Sequence, residues 1–145
     1  MRLRHLPKFL ILVAILIMPL ALASCSSASA SEMAMPDFVQ SQPTRVQDAY
    51  RYAISHPDDL AAAPCYCGCG SMGHTSNLSC FISGNSKEGT PIFEPHATGC
   101  GICVDIAQDV MRLRAEGKSR SEVRAFVDAT YSSFGPGTDT PLPTD

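Results

Sequence analysis

Tryptophan is absent, and aromatic residues make up only 7% of the chain against ten Gly and eleven Pro. Such a composition builds a small, loop-rich core rather than a large one. Positive charge is also scarce. Formal net charge is −3, and three of the eleven basic residues, Arg2, Arg4 and Lys8, lie at the very start of the chain. The remainder carries eight basic against fourteen acidic residues, a balance that repels phosphate backbones and argues against a nucleic-acid partner. The chain has no internal repeat, no Gly-x-Ser-x-Gly, no His-Glu-x-x-His and no phosphate loop, so the common hydrolase and nucleotide-binding signatures are missing. Its 145 residues leave no room for a multidomain enzyme.

What is abundant is cysteine, seven in all, together with a strongly apolar start. Residues Phe9–Ala23 form an apolar run broken only by Pro19, behind a basic N-terminus. The run is shorter than the roughly 20 residues needed to span hydrocarbon, and no second run follows it. It therefore reads as a signal peptide over residues 1–24. It stops at Leu22-Ala23-Ser24-Cys25, which resembles the bacterial lipobox, where cleavage leaves an N-terminal cysteine that is acylated with palmitate-type chains. Lipidation at Cys25 would anchor the protein on the outer face of a membrane, since multiply acylated termini bind bilayers stably. Residues 26–43, rich in Ser, Ala and Gln, read as a flexible tether, and residues 135–145, with three Pro and three Thr, as a disordered tail.

Between them, residues 44–134 are expected to form a single mainly α domain, in which about three helices bracket an irregular Cys-rich segment. Val46, Ala49, Tyr50, Ala53 and Ile54 recur at helical spacing after a capping-box pattern, Thr44-Arg45-Val46-Gln47, and this helix ends before Pro57. A short turn containing Asp58 and Asp59 follows, closed by Pro64. Ile102, Ile106, Val110 and Leu113 share the face of a helix that starts near Gly99–Cys103 and stops at Gly117. Ser119-Arg120-Ser121-Glu122 is a second capping box, and Val123, Phe126, Val127 and Tyr131 form the stripe of a third helix. The stretch from Cys65 to Pro95 has no sustained period and needs a staple.

The sulfurs supply one. Pro64-Cys65-Tyr66-Cys67-Gly68-Cys69 sets three thiols at alternate positions, followed by His74, Cys80, His96, Cys100 and Cys103. Neighbours in a Cys-x-Cys pair sit about 6.5–7 Å apart at Cα in extended chain, at the edge of what a disulfide spans, whereas a metal gathers them readily. Cys100-Gly101-Ile102-Cys103 stands at a helix start, where thiolate is favoured. Six sulfurs and two imidazoles exceed the needs of one tetrahedral ion, so a polynuclear centre or two sites are expected. Soft donors select copper(I), zinc or iron–sulfur clusters, and the Cys-x-Cys-x-Cys spacing leans toward copper(I), with zinc the main variant.

Two other classes compete. Six cysteines can close as three disulfides in fifteen ways, which would make a stapled interaction module, or one disulfide can accompany one metal site. Cys100 and Cys103 can act as nucleophile and resolving thiol of an oxidoreductase, but no βαβ pattern leads into them and four more thiols invite scrambling. The balance favours a binding protein over an enzyme, with no catalytic residue assigned and an unidentified protein as metal donor or acceptor. Met33 and Met35 in the tether and Met72 beside the cluster carry thioethers that could help transfer copper(I), but they read first as adaptable filler. His56 reads as a helix cap, Tyr66 as packing, and the Asn77-Leu78-Ser79 sequon as chance.

These residues resemble the bacterial PCYCGC-motif lipoproteins. The likeness runs from the helix before the motif through Pro64–Cys69, Gly73-His74, Asn77-Leu78, Cys80-Phe81, His96 and Cys100-Gly101-Ile102-Cys103 to the closing helices. It implies a lipoprotein and a shared fold, and it names no reaction.

Overall fold

The structure, a computed structural model, describes residues 34–144. The expected leader, the lipidation site Cys25 and residues 26–33 of the tether lie outside them. Five α-helices and one two-stranded hairpin make up the described chain: α1 (Asp37–Gln40), α2 (Thr44–Ser55), α3 (Pro57–Ala61), β1 (Ile82–Asn85), β2 (Pro91–Phe93), α4 (Gly101–Ala115) and α5 (Arg120–Tyr131). The fold is mainly α, as expected. Between α3 and α4 the backbone runs through three single-turn 3₁₀ segments, Cys69–Met72, Asn77–Cys80 and His96–Gly99. The hairpin, antiparallel with Ile82 opposite Phe93, lies between the second and third of them and has no counterpart in the sequence reading.

The periodic faces are the buried faces. Ala49, Tyr50 and Ala53 of α2, Ile106, Val110 and Leu113 of α4, and Val123, Val127 and Tyr131 of α5 form one core with Leu60 and Phe81. Tyr50 is fully buried because its ring meets Phe81 edge-on at 5.0 Å while its hydroxyl donates to the Glu94 carbonyl at 2.6 Å. Helix α5 opens with the expected capping box, Ser119 Oγ accepting from the Glu122 amide and Glu122 Oε2 from the Ser119 amide. Helix α2 does not. Its cap is Pro43, and Thr44 already lies inside the first turn. Gln47, the residue such a box would use, instead donates to the carbonyls of Gln40, at the end of α1, and of Gln42, in the link to α2.

Two segments expected to be unstructured are folded onto the domain. Residues 34–43 carry α1, whose Val39 is fully buried. Residues 135–144 are not a free tail, for Thr138 and Thr140 are each 7% exposed. The Thr138 amide donates to the Cys65 carbonyl at 2.9 Å, and Thr138 Oγ1 accepts from the Cys65 amide at 2.9 Å. Thr140 Oγ1 donates to the Thr75 carbonyl, and Arg124 donates to the Thr140 carbonyl. Composition misleads here because Thr side chains, although polar, satisfy buried backbone that no helix or strand serves.

Asp59 ties the helices together. Its carboxylate, 6% exposed, accepts from Tyr52 of α2 at 2.8 Å and from Arg120 of α5 at 2.8 Å, and Arg114 of α4 stands 3.2 Å away. Burial alone would raise its pKa, but these donors outweigh it and hold the carboxyl below the usual carboxylate range.

Candidate metal centre

Every one of the eight predicted ligands reaches one place. Cys65 and Cys67 come from the loop after α3, Cys69 from the first 3₁₀ turn and His74 from the loop behind it, Cys80 from the end of the second turn, and His96 from the start of the third. Cys100 is the N-terminal cap of α4, and Cys103 lies in its first turn. The turn bearing Cys69 is flanked by Gly68 and Gly73 with φ of +83° and +90°, a backbone that any larger residue adopts only under strain. Those glycines let the chain reverse twice within six residues, so that Cys69 faces Cys80 and His74 returns to the same centre.

The spacings are those of ligands around shared ions. Cys65 Sγ lies 3.4 Å from Cys103 and 3.5 Å from Cys67, and Cys67 lies 3.5 Å from Cys103. Cys69 and Cys80 are 3.7 Å apart, and Cys100 and Cys103 are 2.9 Å apart. Cys67 Sγ is 3.6 Å from His96 Nε2, and Cys80 Sγ is 3.5 Å from His74 Nδ1. With metal–sulfur bonds of about 2.3 Å and metal–nitrogen bonds of about 2.05 Å, a tetrahedral ion sets its ligands about 3.8 Å apart for two sulfurs and about 3.6 Å for sulfur and nitrogen. The sulfur–imidazole distances match that edge and four of the sulfur–sulfur distances, 3.4 to 3.7 Å, fall close to it, whereas Cys100 and Cys103 at 2.9 Å are closer together than a tetrahedral ion would set them.

Four groupings bring their donor atoms within 4.8 Å of one another: Cys67, His96, Cys100 and Cys103; Cys69, His74, Cys80 and His96; Cys65, Cys67 and Cys69; and Cys65, Cys80 and Cys103. The first two are complete four-donor sets. They share His96, and Cys65 stands between them as a sulfur common to both three-sulfur groups. The eight donors are therefore one continuous cluster, and they fit a soft metal ion.

Burial grades the cluster. Cys65, Cys69, Cys80 and Cys103 are buried, whereas Cys67, Cys100, His74 and His96 are half-buried. All six described cysteines are free. Hydrogen bonding from Cys103 and Cys80 draws the Cys65 thiol well below the ordinary thiol range against the pull of burial. The same contact with Cys65, then that with Cys80 and burial, holds the proton on Cys103 and pushes its thiol up. Burial, followed by the neighbouring sulfurs, pushes Cys67 up as well. One thiolate is thus accommodated and further ones repel it, so additional thiolates require a cation among them.

The supporting residues were less visible from sequence. Asn77, formally a sequon, is fully buried; its amide nitrogen donates to the Cys103 carbonyl at 3.1 Å and its Oδ1 has no partner among the described residues. Glu94 Oε1 accepts from the His96 amide and fixes the turn that carries that imidazole. Tyr66, between two ligands, is 8% exposed and donates to Asp128 at 2.6 Å; burial, then this bond, pushes its hydroxyl up to about 12. It packs, as expected, and holds the motif on α5. Cys100 and Cys103 are not isolated as a redox couple, since Cys103 also touches Cys65 and Cys67.

Fold and site together define a small helical domain built around a cysteine–histidine cluster. The chain belongs to the family described as proteins of unknown function with PCYCGC motif, which it matches over residues 15–143. No curated protein and no solved structure matches it.

Proposed function

We propose that this protein is an extracytoplasmic lipoprotein, anchored to a bacterial membrane through Cys25, that binds copper(I) in its Cys/His cluster for storage, tolerance or delivery. The observation that carries the reading is the convergence of six sulfurs and two imidazoles at metal-ligand spacing. Pairwise disulfides have no use for imidazoles, and they do not need one sulfur, Cys103, to touch three others. Eight donors exceed what one tetrahedral ion takes up, so the centre holds at least two ions, one by Cys67, Cys100, Cys103 and His96 and another by Cys69, Cys80 and His74, with Cys65 available to both. Sulfur-rich donor sets select soft ions, and bound metal supplies here a staple and a cargo rather than a reaction. Zinc is the second reading, supported by the complete Cys₃His group at the start of α4, a donor set that zinc also favours.

The test is copper in cells. Membranes from copper-loaded cells expressing the protein are expected to hold protein-bound copper and palmitate label. Cys25→Ala should release the protein from the membrane, and Cys67→Ser with Cys69→Ser should leave it there without copper. Copper content that the double variant does not change contradicts the metal reading, and unchanged membrane retention of Cys25→Ala contradicts the anchor.

A further inference from the structure

Met72 stands beside the cluster and is 57% exposed. A methionine serving as filler is buried or leans on the core, as Met35 does. Met72 instead lines an open cleft of about 360 Å³ whose wall includes His74, Thr75, Ser79, Ser83 and Glu94. The cleft wall therefore combines a methionine, a histidine of the cluster and a carboxylate-bearing residue, while Ser79 Oγ accepts from the Thr75 amide and Ser83 Oγ donates to the Ile92 carbonyl. His74 connects it to the interior. Its Nδ1 is 3.5 Å from the buried Cys80 sulfur, and its ring meets that of His96 edge-on at 5.1 Å. The turn that carries both Cys69 and Met72 lies between two left-handed glycines, so thioether and thiol are presented by one four-residue segment.

We propose that this cleft is the transit site of the centre, where a monovalent soft cation, copper(I), is held by Met72 and His74 while it passes between solvent or a partner's thiolates and the buried sulfurs. The inference rests on the copper(I) reading of the cluster. A thioether is a neutral soft donor that favours copper(I) over zinc, and a weak ligand on an exposed side chain gives up its ion as readily as it takes it. Each step exchanges one donor on the ion for another without change of oxidation state: a bond to Met72 Sδ forms as one to a cluster sulfur opens, or the reverse. Thiol protons displaced on loading pass to water through the cleft. Glu94, whose Oε1 also accepts the His96 amide, adds negative charge beside the path.

The experiment measures release rates from the metal-loaded protein, purified from cells without refolding. Copper(I) transfer to a chromophoric copper(I) chelator is followed by stopped-flow absorbance, and zinc transfer to a zinc chelator in parallel. Met72→Leu keeps the apolar volume and removes only the sulfur. It is expected to slow copper(I) release about tenfold, with affinity unchanged within about twofold and zinc release unaffected. Met111→Leu, on α4 away from the cleft, should change neither rate. An unaltered copper(I) rate in Met72→Leu overturns the transit site while leaving the metal centre standing. Equal slowing of zinc and copper also overturns it, because the residue would then act by packing. A wild-type protein that takes up no copper(I) overturns the reading of the centre itself, and the transit site with it.

Discussion

Cys67 and Cys69 sit where the two four-donor groups meet the motif, one in each. Replacing both by Ser removes a sulfur from each of these donor groups and is expected to abolish tight metal binding and loosen the fold together, because binding free energy at such a site is folding free energy. Metal titration and thermal denaturation of the double variant check this; full affinity would refute the cluster. Asp59 makes a contribution independent of metal. Asp59→Asn should cost about 2 kcal/mol, the range for hydrogen bonds to a charged partner. Its folded pKa is depressed, so its contribution is complete above the unfolded value near 4 and is lost as pH falls through the lower folded value. The gap in stability between wild type and variant, measured on metal-free protein, should be full at about pH 6 and shrink below about pH 4. A gap that widens on acidification would show the sign to be wrong. Ligand types were legible at this scale, since thiols and imidazoles advertise themselves. Asn77 and Asp59 were not, because an amide or a carboxylate in sequence does not reveal that it will be buried against a carbonyl or two guanidinium groups.

Periodicity made α2, α4 and α5 readable as elements, because each buries one stripe against the others and a stripe is visible in sequence. Both ends of α4 and the box at Ser119 followed from local chemistry, and Ser119→Ala is expected to cost about 1 kcal/mol in urea unfolding. The hairpin and the closing segment were opaque for a different reason. Residues 82–93 have few apolar positions to alternate, and their pairing is set by the 3₁₀ turns on either side. Residues 135–144 are held by hydrogen bonds to Cys65 and Thr75, contacts that leave no pattern in composition. Thr138→Val removes the acceptor for the Cys65 amide and leaves that buried donor unpaired, so it should destabilise the domain by about 1–3 kcal/mol. It should also speed alkylation of Cys65 in the metal-free protein, as read by peptide mass mapping. A tail that does no more than decorate the surface would change neither quantity.

For the whole molecule, the buried cysteines Cys65, Cys69, Cys80 and Cys103 belong to the same hydrophobic core as Tyr50, Phe81, Ile106 and Val127, so cluster and core are one packed unit. A domain this small has a limited core of its own, so a metal bound by the cluster would add much of its stability. Removing metal with a strong chelator is expected to lower the melting temperature by on the order of 10 °C, reversibly on reloading. The most direct measurement is native mass spectrometry of the protein isolated from cells without refolding, with thiol alkylation and elemental analysis in parallel. At least two soft metal ions, copper(I) foremost, should be retained on a chain whose six cluster cysteines all alkylate once the metal is stripped. A metal-free chain six hydrogens lighter than its reduced mass, with none of those cysteines alkylated, would mean three disulfides and would contradict the account.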